Sequence, residues 1–561
     1  MTSAEAGTLS SATTARRDIT NPVLAGFHPD PSILRVGSDY YIATSTFEWY
    51  PGVRIHHSVN LADWTPLGGA LNDKRLLDLT GTGDSNGVWA PNLTYAHGEF
   101  YLLYSDVATF TGGYWDPQNF LVSGPTPTGP WSEPVVLHGR GFDASLFHDE
   151  DGTTWMLSMV ADWRPGRNRF AGISIQQYDR EARRLTGPEH LIFKGTSAAV
   201  TEAPNLYRKD GWYYLVTAEG GTSYDHQVTV ARSSHLLGPY LADPAGPLLT
   251  AAGHPSLTLQ KAGHGSLVET PAGQWYLAHL VGRPYSELGR CVLGRESAIQ
   301  EVTWTDQGWP RIADGRPADI VPAPVGVGIP VEPPRSSERF EDDDFDGPVL
   351  GVNWSTLRRP ATPDWVSLTE RPSHLRLHGG MSPMGRHRPS LVARRVVAPD
   401  CEFEAVMDFQ PRNYRQLAGI TAYYNTRNWY FLHVTADDDG TPVLDLLACD
   451  TGQVTVVPGV RTPVPAAGPV RLRLRFEGPS LSFSYDFSGA PSQPEWHNAG
   501  PAFDATTLSD EYAAQVVNGE PAAWGFTGAF VGLWAQDLGR EGSYADFDRA
   551  VYTVTTKPAD S

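Results

Sequence analysis

A motif that returns five times constrains the fold of this chain more than any other feature of the sequence. Each copy contains an apolar anchor and then, after a short polar break, an aromatic-rich run such as Tyr40-Tyr-Ile-Ala-Thr. A repeat of this length, made of short runs rich in aromatic and β-branched residues, predicts an array of similar β-units. Four-stranded blades around a channel fit the period, so we predict a five-bladed β-propeller. The anchors are 60, 53, 60 and 61 residues apart, at Ile33, Leu93, Leu146, Leu206 and Leu267.

The residues just before each anchor are expected to lie at the axis of such a propeller, where the innermost strands begin. Three acids from distant parts of the sequence should therefore share one funnel. Clustered and buried carboxylates repel one another and have raised pKa values, which a purely structural repeat does not need. The segment Pro29-Asp30-Pro31 would by itself also suit an ordinary turn, but the repetition favours a site. The positions three residues before the anchors hold Asp30, Ala90, Asp143, Ala203 and His264, with Trp89 and Glu202 one residue earlier in their repeats.

Several motifs also follow one another in a recognisable order. They are Gly26-Phe-His-Pro-Asp30-Pro-Ser, Ser45-Thr-Phe-Glu-Trp-Tyr-Pro-Gly, Gly87-Val-Trp89-Ala-Pro, Gly141-Phe-Asp143-Ala-Ser, Thr201-Glu202-Ala-Pro and Leu293-Gly-Arg295-Glu. Together they resemble glycoside hydrolase family 43, and within it the two-domain β-xylosidases, from about Asn21 to near the C-terminus. Departures from the family pattern are Ala25 in place of Pro, His28 in place of Tyr and Ala203 in place of Gly.

The resemblance implies a role for each of the three acids. Asp30 matches the general base, Glu202 matches the general acid, and Asp143 matches a second aspartate that orients the acid and tunes its pKa. Inverting hydrolysis of a glycosidic bond needs one protonated and one ionised carboxyl group, roughly 6.5–9.5 Å apart. We expect Glu202 to be protonated, with Asp143 raising its pKa, and Asp30 to be ionised. A separation of roughly 5 Å would favour a retaining mechanism instead.

Further residues are candidates for substrate binding. The aromatic side chains of Trp89, Phe47 and Phe142 lie in or beside the axial motifs and could contact the sugar, although blade packing is the alternative. His264 could bind substrate, hold an axial water or support a calcium ion through water, or be structural. The resemblance implies an arginine that binds sugar hydroxyls; Arg295 is preferred over Arg290 because it lies inside the family motif.

The chain is predicted to contain two domains. Residues 1–19 are rich in Ser, Thr and Ala and predict a disordered arm, residues 20–312 form the propeller, and the Pro- and Gly-rich residues 313–340 form a linker. Residues 341–557 alternate with period two, as in Val470-Arg-Leu-Arg-Leu-Arg-Phe, which predicts a β-sandwich. Alternation alone would suit a carbohydrate-binding module. The resemblance instead implies a concanavalin-like sandwich whose loop places Phe526 over the funnel; the alternative for Phe526 is sandwich core.

Composition limits the classes of partner. The net charge of −20 disfavours nucleic acid and anionic membranes, and no apolar run is long enough to span a membrane. The three cysteines, Cys291, Cys401 and Cys449, lack metal-ligand spacing and suit a reducing compartment, so we expect a cytoplasmic protein. The sequence does not decide whether the chain forms a homo-oligomer.

We therefore predict an exo-acting, inverting β-1,4-xylosidase that releases xylose from the non-reducing ends of xylo-oligosaccharides. An α-L-arabinofuranosidase, or an enzyme with both activities, is an alternative because the two sugars present similar hydroxyls at the cleaved bond. A non-catalytic carbohydrate-binding propeller is a third hypothesis, which the three carboxylates argue against. We expect no required cofactor, and a structural calcium ion stays open.

Overall fold

The computed structural model describes residues 18–111, 114–325, 338–465, 468–489, 493–518 and 520–555. Residues 1–17 of the predicted arm and 326–337 of the predicted linker lie outside this described part. The described chain is almost entirely β-structure. Its helical turns are short: Ala313–Gly315, Ala505–Thr507 and Asp510–Ala513.

Five antiparallel sheets follow one another along the chain, and in each the first four strands form a meander in which neighbouring strands pair. The predicted five-bladed propeller is confirmed. Blade 1 contains Ser32–Val36, Asp39–Thr44, Gly52–Ser58 and Thr65–Leu71, and blade 2 contains Gly87–Ala96, Glu99–Val107, Pro117–Gly124 and Val135–His138. Blade 3 contains Ser145–His148, Thr154–Ala161, Phe170–Asp179 and Arg184–Phe193. Blade 4 contains Glu202–Lys209, Trp212–Glu219, Gln227–Ser233, Leu241–Ala242 and Leu249–Thr250, and blade 5 contains Gln260–Glu269, Trp275–Gly282, Arg295–Trp304 and Pro310–Arg311.

The start of every blade shares one backbone irregularity. The equivalent residues adopt a positive φ, which costs a non-glycine residue on the order of 1–3 kcal/mol and persists only where the surrounding structure imposes it. In blades 2, 4 and 5 the pairing register of the first strand also shifts at this point. The shift re-aims the side chains next to it, as bulges do. The five φ values are 57° at Asp30, 29° at Ala90, 54° at Asp143, 51° at Ala203 and 48° at His264.

Two nine-stranded antiparallel sheets form the C-terminal domain and enclose its apolar core. The predicted β-sandwich is confirmed. One sheet contains Val366–Ser367, Leu375–His378, Tyr544–Val554, Asp400–Asp408, Val470–Glu477, Ser480–Asp486 and His497–Asn498, with Phe340–Asp343 and Phe503–Asp504 at its side. The other contains Gln453–Val456, Pro442–Asp450, Asn428–Ala436, Gln416–Asn425, Phe530–Asp537, Leu391–Arg395, Ser355–Leu357 and Trp49–Tyr50, with Thr462–Pro463 at its side. A separate hairpin pairs Gln515–Val517 with Glu520–Ala523.

The two domains share strands and contacts. Trp49–Tyr50 belongs to the loop between the second and third strands of blade 1, yet it pairs with Ser355–Leu357 at the edge of a sandwich sheet. Asp18–Thr20 pairs with Ile320–Pro322, so parts of the predicted arm and linker are paired strands. The N-terminal segment then runs along blade 5, and its motif lies against Arg295, whose carbonyl accepts a hydrogen bond from the backbone N–H of His28 at 2.9 Å.

Among the described residues, no helix has the length and apolar character needed to cross a membrane.

Candidate active site

The meander of each blade determines which segments surround the funnel. Since the first two strands are antiparallel, the loop between the second and third strands returns to the end at which the first strand begins. Blade starts and these loops therefore converge at one mouth of the propeller. A cavity of about 470 Å³ lies there, and the sandwich supplies part of its wall. Its lining includes Asp30, Trp89, Asp143, Glu202 and His264 from the blade starts, Phe47, Phe110, Trp115, Phe170, Thr222 and Arg295 from the loops or their ends, and Asp510, Glu511, Trp524 and Phe526 from the sandwich.

Asp30 is buried at the bottom of this cavity among groups that favour its ionised form. Ser45 Oγ donates to Asp30 Oδ2 at 2.7 Å, and Arg295 Nη1 donates to Oδ1 at 3.3 Å. His264 Nδ1 lies 3.6 Å from Oδ1. Burial alone would raise the pKa of Asp30, but the charge of Arg295, with smaller contributions from His264 and Ser45, holds that pKa below its usual value of 3.8. Asp30 is therefore ionised at neutral pH.

Glu202 and Asp143 have the opposite tendency. Burial is the main cause that raises the pKa of Glu202 well above 4.5, and the nearby charges of Asp143 and Asp30 raise it further. Burial and the charge of Asp30 also raise the pKa of Asp143, against a hydrogen bond from the backbone of Ala203. An ionised Asp143 raises the pKa of Glu202, because removing the second proton would place two negative charges near each other. The cavity thus contains an ionised Asp30 and a pair of carboxyl groups, Asp143 and Glu202, that keeps a proton at pH values where Asp30 has lost its own.

Arg295 connects the base to the sandwich. Its Nη1 donates to Asp30 and to Thr222 Oγ1, the latter at 3.1 Å, and its Nη2 donates to the carbonyl of Phe526 at 3.0 Å. The guanidinium also lies over two aromatic rings, 5.3 Å from the centroid of Phe47 and 5.1 Å from that of Phe526. These contacts use most of the donors of the side chain and hold it in one orientation.

A continuous aromatic wall covers one side of the cavity. The ring of Trp89 packs against Phe47, Phe142 and Phe526 at centroid distances of 5.9, 5.3 and 5.4 Å. Phe110 lies 4.8 Å from the Trp89 centroid and extends the wall. Such a surface suits the apolar face of a sugar ring, while the carboxylates and Arg295 face the hydroxyls.

The sandwich loop that carries Phe526 is anchored to the propeller at three points. The N–H of Phe526 donates to Ser85 Oγ at 3.1 Å, and its carbonyl accepts from Arg295. Trp524 Nε1 donates to the carbonyl of Phe110 at 2.8 Å. The backbone carbonyl of Ser85 also accepts a hydrogen bond from the indole N–H of Trp89 at 3.1 Å. Ser85 therefore positions both Phe526 of the sandwich and Trp89 of the propeller.

Most of the sequence-predicted residues meet in this cavity. Asp30, Asp143, Glu202, Trp89, Phe47, Phe142, His264, Arg295 and Phe526 all line it. Phe526 is buried there, against propeller residues, rather than in the sandwich core. Arg290 lies elsewhere: its Nη1 donates to Thr506 Oγ1 at 3.1 Å, and its guanidinium lies 4.6 Å from the ring centroid of Tyr512. The contacts of Arg290 are thus with the sandwich, and they do not favour it as the sugar-binding arginine.

Near the axis, no three candidate metal ligands of the described part of the chain come within 4.8 Å of one another, whereas calcium prefers six to eight oxygen atoms. Among the described residues, three or more candidate metal ligands come within 4.8 Å of one another once, at His28, His56 and Glu338, between blade 1 and the sandwich. Arg54, Arg394 and Arg395 line that same small cavity, so local positive charge opposes a cation there. A calcium ion held by His264 through water stays a prediction.

Several cavity residues were absent from the sequence prediction. Phe110 and Trp115 belong to the loop between strands two and three of blade 2, Phe170 begins the third strand of blade 3, and Thr222 lies in the corresponding loop of blade 4. The strand order of the repeats could have indicated them, because these loops must return to the funnel. No sequence signal pointed to Asp510, which reaches the cavity from the sandwich.

Comparison with known proteins agrees with this geometry. Residues 19–310 match the family model described as glycosyl hydrolases family 43, and residues 342–553 match the beta xylosidase C-terminal concanavalin A-like domain. The chain is 43% identical to a xylosidase/arabinosidase 43B of Humicola insolens, over 97% of this chain and 99% of that protein. It is 42% identical to a xylan 1,3-beta-xylosidase of a Vibrio species, over 95% and 99%. The crystal structure of a xylan beta-1,4-xylosidase from Bacillus halodurans C-125 superposes with a TM-score of 0.90 at 46% identity, covering 95% of this chain and 100% of that one.

Proposed function

This chain belongs to glycosyl hydrolase family 43, and we propose that it is an exo-acting, inverting β-1,4-xylosidase that releases xylose from the non-reducing ends of xylo-oligosaccharides. The observation that carries this proposal is the opposed protonation of acids in one cavity. The pKa of Glu202 is raised and that of Asp30 is lowered, as a general acid and a general base require. Similarity to enzymes described as xylosidases supports the choice of sugar.

In the proposed step, the protonated Glu202 donates its proton to the leaving glycosidic oxygen as the bond to the anomeric carbon breaks. Asp30 accepts a proton from a water molecule, whose oxygen attacks that carbon from the opposite face. Glu202 then carries the negative charge and Asp30 the proton, and exchange with solvent restores both. Asp143 favours the protonated state of Glu202 by its negative field, and Arg295 favours the ionised state of Asp30.

The sandwich wall supports exo-cleavage. Phe526 and Trp524 enclose the cavity from the sandwich side, and their anchoring to Ser85 and Phe110 keeps them there. A chain enclosed in this way would be accepted by one end only. The sugar at that end would lie against Trp89 and beside the three carboxyl groups.

The choice of sugar and linkage has competitors among the relatives. The Humicola insolens relative is described as acting on both xylosides and arabinosides, which supports α-L-arabinofuranosidase activity as a second function. The Vibrio relative is described as a 1,3-beta-xylosidase. Rates on nitrophenyl β-xyloside, nitrophenyl α-arabinofuranoside, and the β-1,4- and β-1,3-linked xylobioses rank the alternatives directly. A higher kcat/KM on the arabinofuranoside or on the β-1,3 dimer would replace the proposed specificity.

Two variants test the roles of the acids. Nitrophenolate is a good leaving group and needs little protonation by an acid, whereas a xylose leaving group must be protonated. Glu202→Gln should therefore lose much more activity on xylobiose than on nitrophenyl xyloside. Asp30→Asn should lose activity on both, by roughly 10²-fold or more. NMR of the first product should show the inverted, α-configured xylose. Release of β-xylose would indicate a retaining mechanism, and absence of turnover by the native protein would support a non-catalytic sugar-binding propeller.

We also propose that hydrolysis requires no cofactor, since carboxyl groups and water suffice for the step. Activity should survive exhaustive chelation with EDTA. A loss that calcium restores would instead support an ion held by His264 through water, and substitution of His264 would then shift the calcium dependence.

A further inference from the structure

Two exposed aromatic side chains lie in loops that also contribute residues to the cavity wall. Tyr114 is 59% exposed and Trp163 is 43% exposed, and their ring centroids lie 5.3 Å apart with a 58° angle between the planes. Large aromatic side chains usually bury most of their surface, so a paired and solvent-facing set is unusual. From this pair we propose a further sugar-binding position, outside the cavity, that takes a β-linked xylose ring of a longer substrate. The inference rests on the proposed function of the cavity.

The position of the pair ties it to the cavity. Tyr114 and Trp163 belong to the loops between the second and third strands of blades 2 and 3, which return to the funnel mouth. Nearby residues of both loops line the cavity: Trp115 follows Tyr114, Arg169 ends the loop that contains Trp163, and Phe170 begins the next strand. The pair is therefore continuous with the cavity wall and extends it outward between two neighbouring blades.

The mode of substrate entry identifies the occupant. An exo-acting enzyme takes the non-reducing end inside, so the rest of the chain must leave through the mouth and cross its rim. Xylose rings have apolar faces that stack on aromatic side chains and hydroxyls that need polar partners. The loop supplies such partners beside Trp163: the exposed Arg164 is held by Asp162, with Nε donating at 2.7 Å and Nη2 at 2.6 Å.

A second copy of this chain is the other occupant to consider. A stable protein interface buries roughly 800 Å² on each partner. Two aromatic rings followed by the exposed polar residues Arg164, Arg167 and Asn168 provide much less apolar surface than that. A single sugar ring matches the size of the pair, and we therefore assign the pair to carbohydrate.

The test is the dependence of kcat/KM on substrate length. The native protein should gain activity from xylobiose to xylotriose or xylotetraose, and the double variant Tyr114→Ser/Trp163→Ser should lose that gain, about three- to tenfold, as expected for loss of one or two aromatic contacts. Its kcat/KM on nitrophenyl xyloside and xylobiose should be unchanged. Tyr414→Ser is a matched control, because Tyr414 is equally exposed, at 59%, but lies on the sandwich.

Four results would overturn the inference. The native protein could show no gain with substrate length, or the double variant could keep the gain. The double variant could also lose activity equally on all substrates, which would indicate a disturbed loop. Sedimentation showing that the double variant changes oligomeric state would assign the pair to an interface between copies. None of these affects the proposed function, which is tested separately by the native protein's turnover of nitrophenyl xyloside, its sugar and linkage preference, and the configuration of the first product.

Discussion

Replacing Arg295 by Met should move the acid limb of the pH profile to higher pH. The guanidinium lies 3.3 Å from Asp30 Oδ1, and both side chains are buried. At an effective dielectric constant of about 20, two unit charges at this distance attract by about 5 kcal/mol. Ser45 and His264 would still stabilise the ionised Asp30, so we expect the lower part of that effect, a rise in pKa of about one to three units. Activity requires ionised Asp30 and is lost as pH falls through its pKa, so a higher pKa raises the pH at which activity is lost.

The assay is kcat/KM on nitrophenyl β-xyloside measured across the pH range, which reports the ionisations of the free enzyme. Arg290→Met is the matched control, since Arg290 lies five residues earlier in the sequence and contacts the sandwich residues Thr506 and Tyr512 instead of the cavity. It should leave the acid limb in place. Arg295 also lowers the pKa of Glu202, so the basic limb should rise in Arg295→Met as well.

An Arg295→Met enzyme with reduced activity but an unchanged acid limb would refute this reasoning. It would mean that Arg295 binds substrate without setting the ionisation of the base. A shift of equal size in Arg290→Met would mean that the field of the whole interface, and not one contact, controls Asp30.

Three other perturbations test the contacts around the site. Ser85→Gly keeps a backbone suited to the φ of 60° but removes the acceptor of the Phe526 N–H. Leaving that buried N–H unpaired costs about 1–3 kcal/mol, so the KM for xylobiose should rise several-fold. Unchanged kinetics would count against the anchoring role of Ser85. Arg358→Met removes the nearest cation of Asp84 and of the buried Glu48, since Arg358 Nη2 lies 2.6 Å from Asp84 and 3.9 Å from Glu48, and leaves Asp84 with Arg386 at 3.5 Å. The free energy of unfolding, from urea titration followed by tryptophan fluorescence, should fall by about 3 kcal/mol. A small change would show that Arg386 or water compensates for the lost charge. Burial lowers the pKa of His28 to about 3, below its ordinary value of 6.5. Between pH 3 and pH 6.5 the native state therefore binds fewer protons than the unfolded state. The free energy of unfolding should fall as pH falls from about 6.5 towards 3. His28→Asn should make that decline shallower in melting temperatures measured across the window, and an identical slope would assign the decline to other groups.

The sequence predicts the parts of this molecule that depend on repetition. The five blades follow from the recurrent motif, and the convergence of Asp30, Asp143 and Glu202 follows from the radial arrangement of equivalent positions. Asp30 and Asp143 adopt a positive φ, as does Ala203 next to Glu202, so the equivalent positions of the repeats share backbone geometry as well as spacing. The choice of Arg295 over Arg290 came from a family motif and not from the repeat. The two arginines are five residues apart in an irregular segment, so no periodic pattern shows which of them faces the cavity.

Contacts that join distant segments could not be predicted in this way. Ser85 meets Phe526 across 441 residues, and Glu338 lies 3.4 Å from both His28 and His56. No periodic pattern in the sequence predicts either contact, because each depends on how segments distant in the chain pack against each other. The strand Trp49–Tyr50 is the clearest case, because residues of blade 1 complete a sandwich sheet.

The way in which the sandwich docks couples the shape of the cavity to its chemistry. The carbonyl of Phe526 and the carboxylate of Asp30 both accept hydrogen bonds from Arg295, so the closing wall and the base depend on one guanidinium. The sandwich also places the carboxyl group of Asp510 4.0 Å from Arg295 Nε. The hydroxyl of Tyr424 holds Asp510 in place by donating a hydrogen bond of 2.6 Å to its Oδ1. A shift of the sandwich loop would therefore change both the position of the wall and the field at Asp30. Because the same arginine serves both, displacing the wall should also raise the pKa of Asp30, so the shape of the cavity and the ionisation of the base depend on one guanidinium.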